Sequence, residues 1–145
     1  IMSDLARAAV RSPTQYARMQ ALQIFREAGI QAKQYTQEAR ALQNWVQNNI
    51  RYVRDPVDVE LVQSPEVTLK LRTGDCDDQA TLLGAMLSAT GHLSQFVAIG
   101  MNGAPLSHVL VETRIGDKWI PAETILCKPL GWYPQNVTSR LIRSV

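Results

Sequence analysis

Thr73-Gly74-Asp75-Cys76-Asp77-Asp78-Gln79-Ala80-Thr81-Leu82-Leu83-Gly84-Ala85-Met86-Leu87 opens as a glycine loop and runs into the most apolar segment of the chain. Asp75 is a good N-cap for a helix in which Cys76, Ala80, Leu83 and Leu87 share a face, and Gly91 offers a left-handed stop. That helix is expected to be the buried spine. Gly84 inside it costs about 1 kcal/mol relative to Ala, a penalty that close approach of another backbone would explain.

Upstream, Ser12-Pro13 supplies a cap and a first-turn proline. Tyr16, Met19, Leu22 and Phe25 then recur near helical spacing until Gly29, as the apolar face of a first helix. Thr36 is read as the cap of a second helix through Leu42, Trp45 and Val46, ending near Ile50. Asp55-Pro56 breaks the next stretch, and Ser64-Pro65-Glu66 can start one short helical turn before the loop at Arg72-Thr73-Gly74. Downstream of Gly91 the period changes to two, so Gln95 to Met101, Ser107 to Ile115 and Lys118 to Ile125 read as strands. Helices followed by a run of strands predict an α+β fold with an antiparallel sheet. Residues 1–11 are expected to be a flexible or partner-bound arm of a single domain.

Composition narrows the function classes. The 145 residues are 46% hydrophobic and 19% charged, with eight glycines and seven prolines, which fits a globular domain with a core. Fifteen Lys and Arg against thirteen Asp and Glu are interspersed, so no basic stripe calls for nucleic acid. No apolar run approaches the roughly 20 residues of a membrane span, and no secretory leader is visible, so no membrane is expected and a cytoplasmic location is.

The chemistry starts at Cys76. Unpaired N–H groups at a helix start stabilise a thiolate, and the amide of Cys76 can face a developing oxyanion. Asp75, Asp77 and Asp78 oppose this by pushing a thiol pKa upward, so a catalytic Cys76 needs an imidazole partner. The chain has two histidines. His92, just past the helix end, reads as an exposed ring near the last carbonyls. His108 opens an apolar strand.

Gly116-Asp117 suits a two-residue hairpin loop, which pairs Ile115 with Lys118 and, carried along the strands, Leu110 with Glu123 and His108 with Ile125. His108 and Glu123 are then diagonal neighbours on one face, roughly 7 to 8 Å apart at the backbone. A glutamate side chain spans that gap. Its carboxylate would orient the ring toward the thiol, the nucleophile-base-orienter logic of acyl transfer. A one-residue slip in the loop would turn one partner away.

Read singly, each residue has an ordinary structural role. Cys76 could be a core thiol or half of a Cys76–Cys127 disulfide, His108 a buried ring bonded to backbone, and Glu123 a surface carboxylate at a strand edge. Their combination carries the functional reading. Other chemistries fit less well, so no metal and no cofactor is expected. The aspartates do not make an EF-hand, because Ala80 stands where its glycine belongs and Met86 where its last ligand belongs. The cysteines and histidines lack the close pairs of a zinc site, and no Gly-x-Ser-x-Gly elbow supports Ser107 as a nucleophile.

These residues resemble the transglutaminase-like superfamily of papain-fold thiol enzymes. The resemblance rests on Trp45 with Ile50-Arg51-Tyr52, on Gly74-Asp75-Cys76-Asp77-Asp78-Gln79-Ala80-Thr81-Leu82-Leu83, on His108-Val109, and on Trp119-Ile120-Pro121-Ala122-Glu123. It implies a nucleophile-bearing central helix packed on an antiparallel sheet, with Cys76, His108 and Glu123 as the triad. Glu123 departs from the pattern, where Asp is usual, by one methylene. A second oxyanion donor is implied from an upstream side chain, with Gln43, Trp45 and Tyr52 as candidates and Tyr52 preferred.

The resemblance implies a cysteine protease or amidase acting on a protein or peptide substrate, with water as acceptor. An amine acceptor would make it a cross-linking transglutaminase. A second hypothesis is a non-catalytic assembly or binding module of a phage or bacterial complex, touching partners through the amino terminus and through Lys128 to Pro134. Neither oligomeric state nor substrate identity is legible.

Overall fold

The computed structural model describes residues 15–54 and 62–145. The expected cap at Ser12-Pro13, the arm over residues 1–11 and the break at Asp55-Pro56 lie outside them. Among the described residues four helices precede the main sheet: α1 (Gln15–Glu27), α2 (Tyr35–Asn49), α3 (Pro65–Leu71) and α4 (Cys76–Ala89). Two short strands, β1 (Arg51–Tyr52) and β2 (Thr73–Gly74), lie between the helices and pair in parallel, with Tyr52 beside Gly74. The strands β3 (Ser94–Met101), β4 (His108–Ile115), β5 (Lys118–Ala122) and β6 (Val137–Ser144) form an antiparallel sheet in the order β5-β4-β3-β6. The fold is α+β, with helices packed on an antiparallel sheet.

The spine is α4, which is buried from Asp77 to Leu87. Its start is doubly fixed: the Asp75 carboxylate accepts from the Asp78 N–H at 3.0 Å, while the Asp78 carboxylate accepts from the Asp75 N–H at 3.0 Å. Ala80, Leu82, Leu83, Ala85, Met86 and Leu87 join Phe96, Val109, Val111 and Ala122 of the sheet in one core. Gly84 has a different cause from the one expected. A Cβ there would stand 3.1 Å from the Phe96 ring, so an aromatic side chain, not a backbone, occupies the space.

Helix α1 corrects the sequence reading. Of Tyr16, Met19, Leu22 and Phe25, only Phe25 is buried; Tyr16 and Met19 are 62% and 57% exposed. The buried face is Ala17, Ala21, Ile24 and Phe25. Helix α1 packs on α4, and two alanines let the axes come close, whereas the larger stripe would hold them apart. For α2, the first helical residue is Tyr35 after Gln34, so Thr36 lies inside the helix rather than capping it. The short helix at Ser64 forms with its expected cap, the Ser64 hydroxyl accepting from the Val67 N–H at 3.3 Å. It runs seven residues rather than one turn, and the loop expected after it contains β2.

The hairpin has the expected register, Ile115 opposite Lys118 around Gly116-Asp117, with Gly116 at φ +67°. Strand β5 stops at Ala122 instead of reaching Ile125. Pro121 already removes one ladder donor, and beyond it the Glu123 carbonyl is captured by α2, so the pairs Leu110–Glu123 and His108–Ile125 do not form. Sequence periodicity also missed β6, an edge strand exposed along most of its length.

Candidate active site

Cys76 is the first residue of α4, where first-turn N–H groups have no partner within the helix. Three bonds anchor the loop before it. Val53 donates its N–H to the Gly74 carbonyl at 3.1 Å, Gln79 reaches back to the same carbonyl with Nε2 at 3.3 Å, and the Asp78 carboxylate accepts from the Gln63 N–H at 2.7 Å. A Cβ on Gly74 would lie 2.7 Å from the Asp78 Cβ, so the tight turn ahead of the cysteine needs glycine.

His108, the first residue of β4, stands between the thiol and a carboxylate. Its Nε2 lies 2.7 Å from Glu123 Oε2, and the ring is near enough to Cys76 for the thiol to raise its pKa. With Nε2 held by the carboxylate, Nδ1 is the nitrogen left for the sulfur. The His108 side chain is 18% exposed and that of Glu123 is 1% exposed. Burial works against the imidazolium, but the hydrogen bonds and negative charge of Cys76 and Glu123 outweigh it and raise the His108 pKa from 6.5 to about 9. The ring therefore favours its cation near neutrality.

Glu123 is fixed from three sides. Its Oε2 meets His108, its Oε1 accepts from the Ile125 N–H at 2.9 Å, and its own carbonyl accepts from two carboxamides of α2. Gln43 Nε2 donates to the carbonyls of Glu123 at 3.0 Å and Lys128 at 3.2 Å. Gln47 Nε2 approaches those of Glu123 at 2.8 Å, Lys128 at 2.9 Å and Leu126 at 3.2 Å. Sequence reasoning missed Gln47. Its spacing from Gln43 puts both on one helix face, but nothing local says that the face meets residues 123–128.

The other candidates fall into place differently. Gln43 has its amide nitrogen on those two carbonyls, so it is not available as an oxyanion donor. Trp45 is partly buried against the core and lies under the Arg72 guanidinium, 4.7 Å from its ring centroid. Tyr52 stands beside Gly74 in the β1–β2 pair, two residues before Cys76, with 48% of its surface exposed.

His92 is not the exposed ring expected. It is buried, bonded through Nε2 to Glu38 Oε1 at 2.7 Å and packed edge-on to Tyr35. It follows the far end of the 14-residue α4, about 20 Å from Cys76 by helical rise. Cys76 and Cys127 are both free thiols, so the disulfide alternative is not formed.

The comparisons with known proteins agree with this architecture. Residues 24–124 match the family model of the transglutaminase-like superfamily, and the chain belongs to that superfamily. No curated protein matches it. Among solved structures it is similar to a "putative protease" from Parabacteroides distasonis ATCC 8503, with TM-score 0.68 and 15% identity over 86% of this chain and 26% of that one. It is also similar to a "putative cysteine protease" from Cytophaga hutchinsonii, with TM-score 0.59 and 18% identity over 99% of this chain and 56% of that one. At these identities the likeness shows the fold. The chain spans about a quarter of the first protein and just over half of the second. No helix among the described residues is long and apolar enough to cross a membrane.

Proposed function

We propose that the protein is a cysteine peptidase or amidase in which Cys76 is the nucleophile, His108 the general acid and base, and Glu123 the group that orients the ring. The observation that carries this reading is a single imidazole 2.7 Å from a buried carboxylate, with its pKa raised by that carboxylate and by a helix-start thiol. Either neighbour alone has a structural explanation; the two together support a proton carrier between a nucleophile and an anion.

The Cys76 thiolate adds to the carbonyl carbon of a peptide or carboxamide. The Cys76 N–H faces the developing oxyanion, with Tyr52 proposed as the second donor. As the C–N bond breaks, the His108 imidazolium gives its proton to the departing nitrogen and a thioester remains. Water then adds to this thioester while His108 takes its proton, and cleavage of the C–S bond releases the carboxylic acid and restores the thiolate beside the protonated ring. The substrate is a protein or peptide, and water is the default acceptor.

Mass spectrometry tests the reading on the full chain incubated with a mixture of unfolded polypeptides, with and without a primary amine. Cleaved peptides or deamidated side chains, together with an acyl adduct on the Cys76 peptide, are expected. Both should vanish in Cys76→Ala. Products bearing the amine would move the assignment to transamidation, and undiminished turnover in Cys76→Ala would remove the nucleophile from the account.

A further inference from the structure

We infer that Gln43 and Gln47 are positioning residues for the reaction, two carboxamides on successive turns of α2 that clasp the backbone of residues 123–128 and so hold the Glu123 carboxylate on His108. The inference rests on the catalytic reading above. It begins from the extra methylene of Glu123, which adds a rotatable bond to a side chain that must present one oxygen to a fixed ring nitrogen. An unrestrained rotor would dilute the bonded geometry, and each freedom has to be removed by a contact.

The removal is visible. Ile125 N–H fixes Oε1, and the Glu123 carbonyl, the atom nearest the root of the side chain, accepts from both glutamines. Residues 123–128 lie in neither helix nor strand, so no ladder fixes them. Gln47 offers two N–H groups to three carbonyls, which binds residues 123, 126 and 128 to one point on α2. Gln43 is fully buried, where a carboxamide is retained at a desolvation cost unless its bonds matter. The carboxylate is therefore aimed from the helical layer and not by sheet pairing, which has already ended at Ala122.

The effect is passed through His108, and the chain carries its own internal reference, because His92 is the other of its two histidines and lies past the far end of α4. The test follows the ring signals of both histidines by NMR across pH in Cys127→Ser protein, then in the same protein with Gln47→Met. Methionine keeps length and helix propensity but donates nothing. Val46→Ala, which truncates the neighbouring core residue, controls for lost stability.

In the Gln47→Met protein the His108 titration should move down by about one unit while that of His92 stays. Cys76 alkylation at pH 7 should slow, by no more than about tenfold per unit of His108 basicity lost. The Val46→Ala protein should lose stability without moving His108. An unchanged His108 titration in Gln47→Met, or an equal shift in Val46→Ala, overturns the clasp and leaves the catalytic reading standing. A parent in which His108 titrates at its ordinary 6.5 overturns both.

Discussion

At the scale of single residues the site is a problem of proton placement. Glu123 supplies a negative charge that His108 meets inside the protein, so Glu123→Gln should leave a similar shape with a weaker base. A loss of roughly 10²–10⁴-fold in kcat/KM is expected, the size of a positioned acid–base contribution. Steady-state kinetics on a substrate found by mass spectrometry would measure it. The pH dependence of stability has a definite sign. His108 titrates at 6.5 in the unfolded chain and at about 9 in the folded one, so its contribution is fully present below about pH 6.5 and disappears as pH rises through 9. The melting-temperature advantage of the parent over His108→Gln should therefore shrink between pH 6.5 and 9.5. An advantage that grows over that interval would contradict the assignment of the proton. His92 shows what local sequence cannot convey: its position after a helix end suggested an exposed ring, whereas burial against Tyr35 and Glu38 depends on where α2 lies.

At the scale of elements, the segments with strong local signals were legible. The Asp75 cap, the Ser64-Pro65 start and the Gly116-Asp117 hairpin each specify a conformation through bonds within a few residues. Replacing Asp75 by Ala should cost about 1 kcal/mol in chemical denaturation, and Asp75→Asn should recover most of it. The errors fell where packing decides: α1 buries its alanines and exposes its large stripe, and β5 ends early because α2 holds the Glu123 carbonyl. Strand β6 was invisible because an exposed edge strand needs no apolar alternation. The segment leading into His108 has its own demand. A Cβ on Gly100 would lie 2.5 Å from the Ala104 carbonyl oxygen and 2.9 Å from that of Pro105, while Ser107 donates its N–H to the Ile99 carbonyl at 2.9 Å. Gly100→Ala should destabilise the protein by about 1–3 kcal/mol, as overpacking does, and lower activity by displacing the approach to His108. Denaturation and kinetics on one preparation would check both.

At the scale of the whole molecule, the three proposed catalytic side chains come from three separate places: the start of α4, the start of β4 and the residue after β5. Periodicity supplied the elements, and the hairpin register placed His108 near Glu123 even though that register is not continued to either residue. What sequence could not supply was the layer that fixes Glu123, since Gln43 and Gln47 lie some 80 positions earlier in the chain. The most direct test of the account is the rate of Cys76 alkylation by iodoacetamide across pH in Cys127→Ser protein, with and without His108→Ala. A thiol activated by the ring predicts that alkylation at neutral pH slows sharply when the ring is removed. A rate profile that is the same in both proteins would contradict it.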